Sequence, residues 1–292
     1  MGEYYWDEKI EYLMNTRNLY YNDDYISFLV SNVWKITEPV NIIDFGCGYG
    51  FLGLKLMPLL PKGSSYTGVD LGDRLLSKAK EIFDNLSYEA NFIQCDVNEF
   101  VTEKTFDVAV CHALLLHMSD PVHTLNRMID CISDNGRIIC FEPHWIANMS
   151  TYNVDKVDQT NIVKLGILQN LYEMQTKQNG KDGNVGIKIP IYLSQLGVKN
   201  IECRVSDKVL FLDPNSDLEN RSKLYESLVE DGIGSNPGEL EIIVNRLMEQ
   251  GLDIEDAKNQ YNAELNLHNQ FSMSSAFVGS AGMKITSGII QR

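Results

Sequence analysis

Basic residues are scarce in this chain: 25 Lys and Arg stand against 40 Asp and Glu among 292 residues, for a formal net charge of −15. Binding a polyanion depends on clustered cations that release counterions. No such cluster occurs, so no nucleic-acid partner is expected. Cysteine is sparse and scattered. Cys47, Cys95, Cys111, Cys131, Cys140 and Cys203 include no C-x-x-C pair, which removes the usual spacing of a zinc site and reads as reduced thiols in a cytosolic protein. No apolar run approaches the ~20 residues that span a bilayer. The opening MGEYYWDEKIEY carries neither a basic nor an apolar stretch, so no signal peptide is expected. Internal repeats and low-complexity tracts are missing too. What is left is a soluble, cytoplasmic, globular protein of open oligomeric state, expected to meet neither membrane nor metal. Its 44% apolar content is ample for a sizeable core.

Short β-rich runs alternate with longer helical patterns from residue 41 to about 145. The runs NIIDFG, SSYTGVDL, ANFIQCDV, the start of TFDVAVCHALLLHM, and GRIICFEP read as five strands. Between them GFLGLKLMPLL, GDRLLSKAKEIFDNL and DPVHTLNRMIDCIS read as helices, with a short helical stretch at NEFV. Continuously apolar strands separated by helices imply a parallel sheet covered on both faces. Further on, residues 151–178 predict a long helix, IPIYLSQLG a short one and NIECRVSDKVLFLD one strand. Residues 216–270 predict two or three helices, and FSMSSAFVGSAGMKITSGII a last strand whose glycines suggest a bulge. The expected fold class is α/β: a Rossmann-like, doubly wound, mainly parallel seven-stranded sheet with helical additions at both ends. The expected divisions are a helical cap (1–38), an α/β core (39–214), a helical insertion (215–270) and a final core strand (271–292).

The glycines after the first strand allow two readings. Gly48, Gly50 and Gly53 fit the G-x-G-x-x-G spacing that cradles a dinucleotide pyrophosphate. Gly46, Gly48 and Gly50, preceded by Asp44, fit a turn that holds S-adenosylmethionine. Three acids decide between them. Asp44, Asp70 and Asp96 end the first three strands at equal intervals of 26 residues, and open α/β sheets bind ligands outside the carboxyl ends of their strands. A pyrophosphate beside Asp44 would be repelled by roughly 4 kcal/mol at 4 Å and an effective dielectric of ~20. A sulfonium or an ammonium would be attracted. Asp70 is placed to accept ribose hydroxyls, and Asp96 to accept from an adenine amino group. Read singly, each acid is also a good turn former or helix cap.

The segments IIDFGCGYG, GVDL, QCDV, FDVAVCHALLLHMSDP and GRIICFEP, in this order, resemble the successive motifs of the class I S-adenosylmethionine-dependent methyltransferases, and most closely the group that methylates small molecules and quinones. IKIPIYLSQLGVKNIEC resembles the segment leading into that family's sixth strand. The likeness covers about residues 40–212 and the terminal strand. It implies a Rossmann-like fold, S-adenosylmethionine as cofactor, transfer of a methyl group to O or N of a small molecule, and a cofactor site of Asp44, Gly46, Cys47, Gly48, Asp70, Leu71, Asp96, Val97 and His112. The chain departs from the family in the 50 to 60 mostly helical residues between the sixth and last strands, where a short connection is usual. Together with the aromatic N-terminal helices and the 151–178 helix, these residues either roof the crevice or form a peripheral or dimerising layer. Two rival functions stay open at this point, a NAD-dependent oxidoreductase and a non-catalytic cofactor-binding protein.

Methyl transfer from a sulfonium has a pre-activated leaving group, so orientation dominates. A base is needed only when the acceptor must lose a proton. His112, His117, His123 and His144 follow the fourth and fifth strands. His117 corresponds to the family's His, and His144 follows Glu142-Pro143; these two are the candidate bases. His112 belongs over the methionine part of the cofactor, and His123 reads as a surface or packing residue. His112, His117, His144 and Glu142 lack zinc-type spacing. The aromatics of residues 4–36 serve either an acceptor pocket or a core-facing stripe, with Tyr20 or Tyr21 as candidates to reach the cofactor carboxylate.

Overall fold

The computed structural model describes residues 4–292, so the first three residues of the expected cap lie outside it. A 3-10 turn (Tyr5–Glu8) leads into α1 (Ile10–Thr16) and α2 (Asp23–Phe28), which continues as a π turn, Leu29–Val33. The first half of the sheet follows as β1 (Asn41–Phe45), α3 (Phe51–Leu56), β2 (Ser65–Asp70), α4 (Asp73–Phe83), β3 (Glu89–Gln94), β4 (Phe106–His112), α5 (Pro121–Asp130) and β5 (Ile132–Glu142). Next come α6 (Trp145–Met149), β6 (Asn153–Val154), α7 (Leu165–Asn179), α8 (Ile189–Gln195), β7 (Lys199–Val205) and β8 (Val209–Leu212). The chain ends with α9 (Leu218–Glu230), α10 (Leu240–Glu249), α11 (Ile254–Gln270), β9 (Phe277–Ser280) and β10 (Lys284–Ile289).

Seven strands form one sheet in the order β3-β2-β1-β4-β5-β10-β7, and β10 alone runs antiparallel to its neighbours. The expected mainly parallel, doubly wound sheet is therefore present. Chain order reverses between β1 and β4, which opens a crevice at their carboxyl ends. Periodicity explains the covering helices. In α4 the residues Leu75, Leu76, Ala79 and Phe83 recur on one face and are all buried. In α5 the Asp120 carboxylate accepts the His123 N–H and Pro121 occupies the first turn, where its missing N–H costs nothing. One apolar cluster joins the N-terminal segment to α3 and α4 on one face of the sheet, through Tyr21, Leu29, Leu52 and Leu75. The opposite face packs on α5 and α8 through Leu125, Met128, Ile189 and Leu193.

Several expected elements are corrected. The helix over 120–133 stops at Asp130, because Ile132 already pairs with Phe106 as the start of β5. NEFV forms a turn, not a helix. Residues 151–164 hold β6 and a 3-10 turn, so the long helix is α7 alone, closed by Gly180 at φ +76°. The single strand expected over 200–213 breaks at Ser206, whose Oγ donates to the Ala281 carbonyl. Its second half, β8, joins a separate three-stranded sheet, β6-β9-β8. Correspondingly, the C-terminal segment is two strands: β9 lies in the small sheet and β10 in the large one. The β10 register shifts between Ser287 and Ile289, around Gly288. The small sheet packs with α9 and α11 through Leu210, Leu228, Leu267 and Phe277, and Leu19 of the N-terminal segment joins the same cluster.

Candidate active site

The turn after β1 is clamped to the end of β2. Gly46 and Cys47 both donate their N–H to the Val69 carbonyl, at 2.8 and 3.1 Å. Gly46 sits at φ +69°, and a Cβ there would meet Leu114 at 2.8 Å, so only glycine fits. Asp70 completes the clamp: its Oδ2 accepts the Gly48 N–H at 2.8 Å and its Oδ1 the Gly72 N–H at 2.9 Å. Gly53 has a different task. A Cβ on it would meet Tyr66 and Phe83 at 2.7–2.8 Å. The third glycine of the G-x-G-x-x-G spacing is thus required by the packing of α3, a role it would have with either ligand.

Above these strand ends lies a cavity of about 340 Å³. Its lining contains Asp44, Gly46, Cys47, Gly48, Asp70, Leu71, Asp96, Val97 and His112, together with His117. His144 is not brought there. It caps α6, with its Nδ1 accepting the Ala147 N–H at 2.9 Å. His123 is exposed on α5. Tyr20 does not reach the cavity either, because its hydroxyl donates to Asp231 at 2.6 Å. Tyr21 is buried against His112 and Phe141, and its hydroxyl has no partner among the described residues.

Burial sets the electrostatics. The Asp44 carboxyl is enclosed, accepts the Tyr66 hydroxyl at 2.6 Å through Oδ2, and leaves Oδ1 without a hydrogen-bond partner among the described residues. Loss of hydration pushes its pKa up to about 8. Asp70 is also raised by burial, against the pull of the backbone N–H groups that it accepts. Both histidines of the cavity move the other way. His112 lies well below its ordinary value, and His117 drops to about 4. His117 also packs its ring 5.0 Å from Trp6. Behind the cavity, Glu142 accepts the Leu114 and Leu115 N–H groups through Oε1, at 2.9 Å each. It thereby fixes the loop that follows β4, where Ala113 takes φ +48°.

Sequence reasoning left the other wall open between an acceptor pocket and a core-facing stripe. Tyr4, Trp6, Leu13 and Arg17 line the cavity from the N-terminal side, and Lys181 from the end of α7. The Arg17 guanidinium makes no side-chain hydrogen bond or ion pair among the described residues. The aromatic density of residues 4–36 was the only signal available, and it did not say which rings face inward. No group of three His, Cys, Asp or Glu side chains among the described residues converges to hold a metal ion. No helix among them is long and apolar enough to cross a membrane.

A family model described as a methyltransferase domain matches residues 36–183, half of the chain. The chain belongs to that family. Its fold is that of the class I S-adenosylmethionine-dependent methyltransferases. Among curated relatives, a malonyl-(acyl-carrier protein) O-methyltransferase of Halalkalibacterium halodurans is 32% identical over 108 residues, which cover 35% of this chain and 38% of that protein. A ubiquinone biosynthesis O-methyltransferase of Nitrosomonas europaea is 26% identical over 142 residues, covering 47% and 56%. The chain thus spans only 38% and 56% of these relatives' lengths. A phosphoethanolamine N-methyltransferase of Haemonchus contortus in complex with S-adenosyl-L-methionine shares the fold at a TM-score of 0.53 and 13% identity, over 98% of this chain and 57% of that one. A methyltransferase of Geobacter sulfurreducens in complex with S-adenosyl-L-homocysteine does so at 0.51 and 13%, over 100% of both chains. The matched methyltransferase domain contains all three strand-end acids and the glycine turn. Tyr4, Trp6 and Arg17 lie outside it.

Proposed function

We propose that the chain transfers a methyl group from S-adenosylmethionine to an oxygen or nitrogen of a small molecule. The observation that carries this reading is Asp44: a carboxylate buried at the floor of the cavity with one oxygen unpartnered, next to two further strand-end acids. Ionising this group without a partner is costly, which holds it protonated in the empty protein. A cationic ligand resolves that cost, and a pyrophosphate would compound it. The residues present therefore fit the cofactor, which supplies a methyl group already activated on sulfur.

In this reading Asp70, whose two oxygens are each steadied by a backbone N–H, offers its remaining lone pairs to ribose hydroxyls. Asp96 is steadied in the same way by the Asn98 N–H at 2.9 Å and serves the adenine amino group. Gly46, Cys47, Gly48, Leu71 and Val97 shape the walls, and His112 contributes its Nε2, which has no partner among the described residues. His117 is neutral at pH 7, but a group held near pKa 4 is a weak base there. His144 would need to leave its capping position to act. The chain's main contribution is therefore orientation of the two reactants. The O-methyltransferase names of the relatives support an oxygen acceptor. We further assign residues 4–38 to a cap over the cavity, and residues 215–270 to a peripheral helical layer that braces this cap through Asp231 and Tyr20 without lining the cavity.

Calorimetric titration with S-adenosylmethionine, S-adenosylhomocysteine and NAD tests the reading. Binding of the first two and not of NAD is expected. Binding of NAD alone would overturn the assignment of Asp44.

A further inference from the structure

The segment Tyr4–Glu8 meets the strand-end floor at three points. Tyr4 and Trp6 line the cavity, and Trp6 packs on His117. Asp7 is buried, and its Oδ1 accepts the Leu75 N–H at 2.9 Å. Leu75 is the third residue of α4, whose own N-cap position is Gly72, without a side chain to cap it. The helix cap is therefore supplied by a residue 68 positions earlier. Gly72 makes room for this: a Cβ there would meet Asp7 Oδ1 at 2.6 Å and the Tyr4 ring at 3.1 Å. The Gly72 N–H in turn donates to Asp70. Asp7, Gly72 and Asp70 thus form one continuous junction between the N-terminal segment and the floor.

We propose that residues 4–8 are a strap across the cofactor end of the cavity, and that Asp7 is a positioning residue that latches it. By capping α4, Asp7 holds Tyr4 and Trp6 over the site, so that the cofactor leaves only when the strap lifts. The proposal rests on the methyltransferase reading for the identity of the ligand. The strap is a single 3-10 turn with Tyr5 61% exposed; besides the latch it is held by the packing of Tyr4 and Trp6 on the apolar cluster and on His117. A lost helix cap corresponds to roughly a fivefold change in an equilibrium.

A purely structural role for Asp7, stabilising α4 alone, makes a different prediction. Gly72 lies at φ −74° and ψ 113°, the extended backbone of an N-cap residue. Gly72→Ser would give α4 its own cap and displace Asp7 at the same time. Stopped-flow chase of S-adenosylhomocysteine from the full chain then separates the roles. Asp7→Leu and Gly72→Ser are both expected to speed release about fivefold, while Asp7→Asn, which keeps a capping oxygen, releases near the wild-type rate. Acceleration by Asp7→Leu alone, or by neither variant, overturns the strap. Amide exchange in the ligand-free chain tests the latch without any cofactor. The Leu75 N–H should exchange faster in Asp7→Leu and not in Asp7→Asn, and equal exchange in all three proteins would overturn the latch even if the cofactor assignment stands. Failure of the wild-type chain to bind S-adenosylhomocysteine would remove the strap's ligand, and the proposal with it.

Discussion

The floor of the cavity and its roof hold their side chains by different means. On the floor, Asp44, Asp70 and Asp96 sit at or just beyond the ends of strands paired within a seven-stranded sheet, and backbone N–H groups steady Asp70 and Asp96. The roof is a 3-10 turn, the seven-residue α1 and the turn that follows it to Tyr20; Leu13 packs it on the apolar cluster, and side-chain contacts tie it to distant elements: Asp7 to Leu75, Trp6 to His117 and Tyr20 to Asp231. Sheet pairing fixes geometry and resists opening, whereas a few side-chain contacts open at low cost. A ligand therefore finds a preset floor beneath a removable cover.

The sharpest break of this comparison is on the floor. Asp70→Ala should weaken S-adenosylmethionine binding by about 2–3 kcal/mol, the scale of hydrogen bonds to a charged group. Unchanged affinity by calorimetry would remove the ribose assignment.

Asp44 gives a pH signature. With its pKa at about 8 in the empty protein, the carboxyl is protonated at neutral pH and must lose that proton beside a bound cation. Affinity should be full above pH 8 and fall by up to about tenfold per unit as pH drops below it. Asp44→Asn should abolish that slope. A slope that survives the substitution belongs to another group.

On the roof, Tyr20→Phe removes the hydroxyl that donates to the half-buried Asp231 carboxylate. The expected cost is about 1–2 kcal/mol of stability in a denaturant titration, with a smaller loss of cofactor affinity. A loss of affinity with no loss of stability would place Tyr20 in the site instead. The smallest effect is expected from His144→Ala. Loss of the α6 cap should cost about 1 kcal/mol of stability and leave cofactor affinity unchanged. If turnover alone collapses, His144 is a base after all.

The sheet and the floor were legible because their signals are local. The strand runs and the glycine turn each depend on residues within one βα unit, and Asp44, Asp70 and Asp96 repeat one strand-end signal in three successive units. Where the reading failed, the decision was tertiary. Ser206 ends β7 because it bonds to Ala281, 75 residues away. The C-terminal segment divides between two sheets because β9 finds β6 and β8 as partners. His144 looked like a base from its neighbours in sequence, but the backbone of α6 takes its ring nitrogen.

By itself, then, the sequence determined a doubly wound α/β sheet and an acid-ringed crevice at its strand ends, since hydrophobic period and turn chemistry act over a few residues. Only the tertiary structure decided what covers that crevice. Gly72 leaves α4 uncapped, Asp7 supplies the cap from the far end of the chain, and nothing in the spacing of the two residues announces the pair, because a contact across 68 residues leaves no local pattern to read.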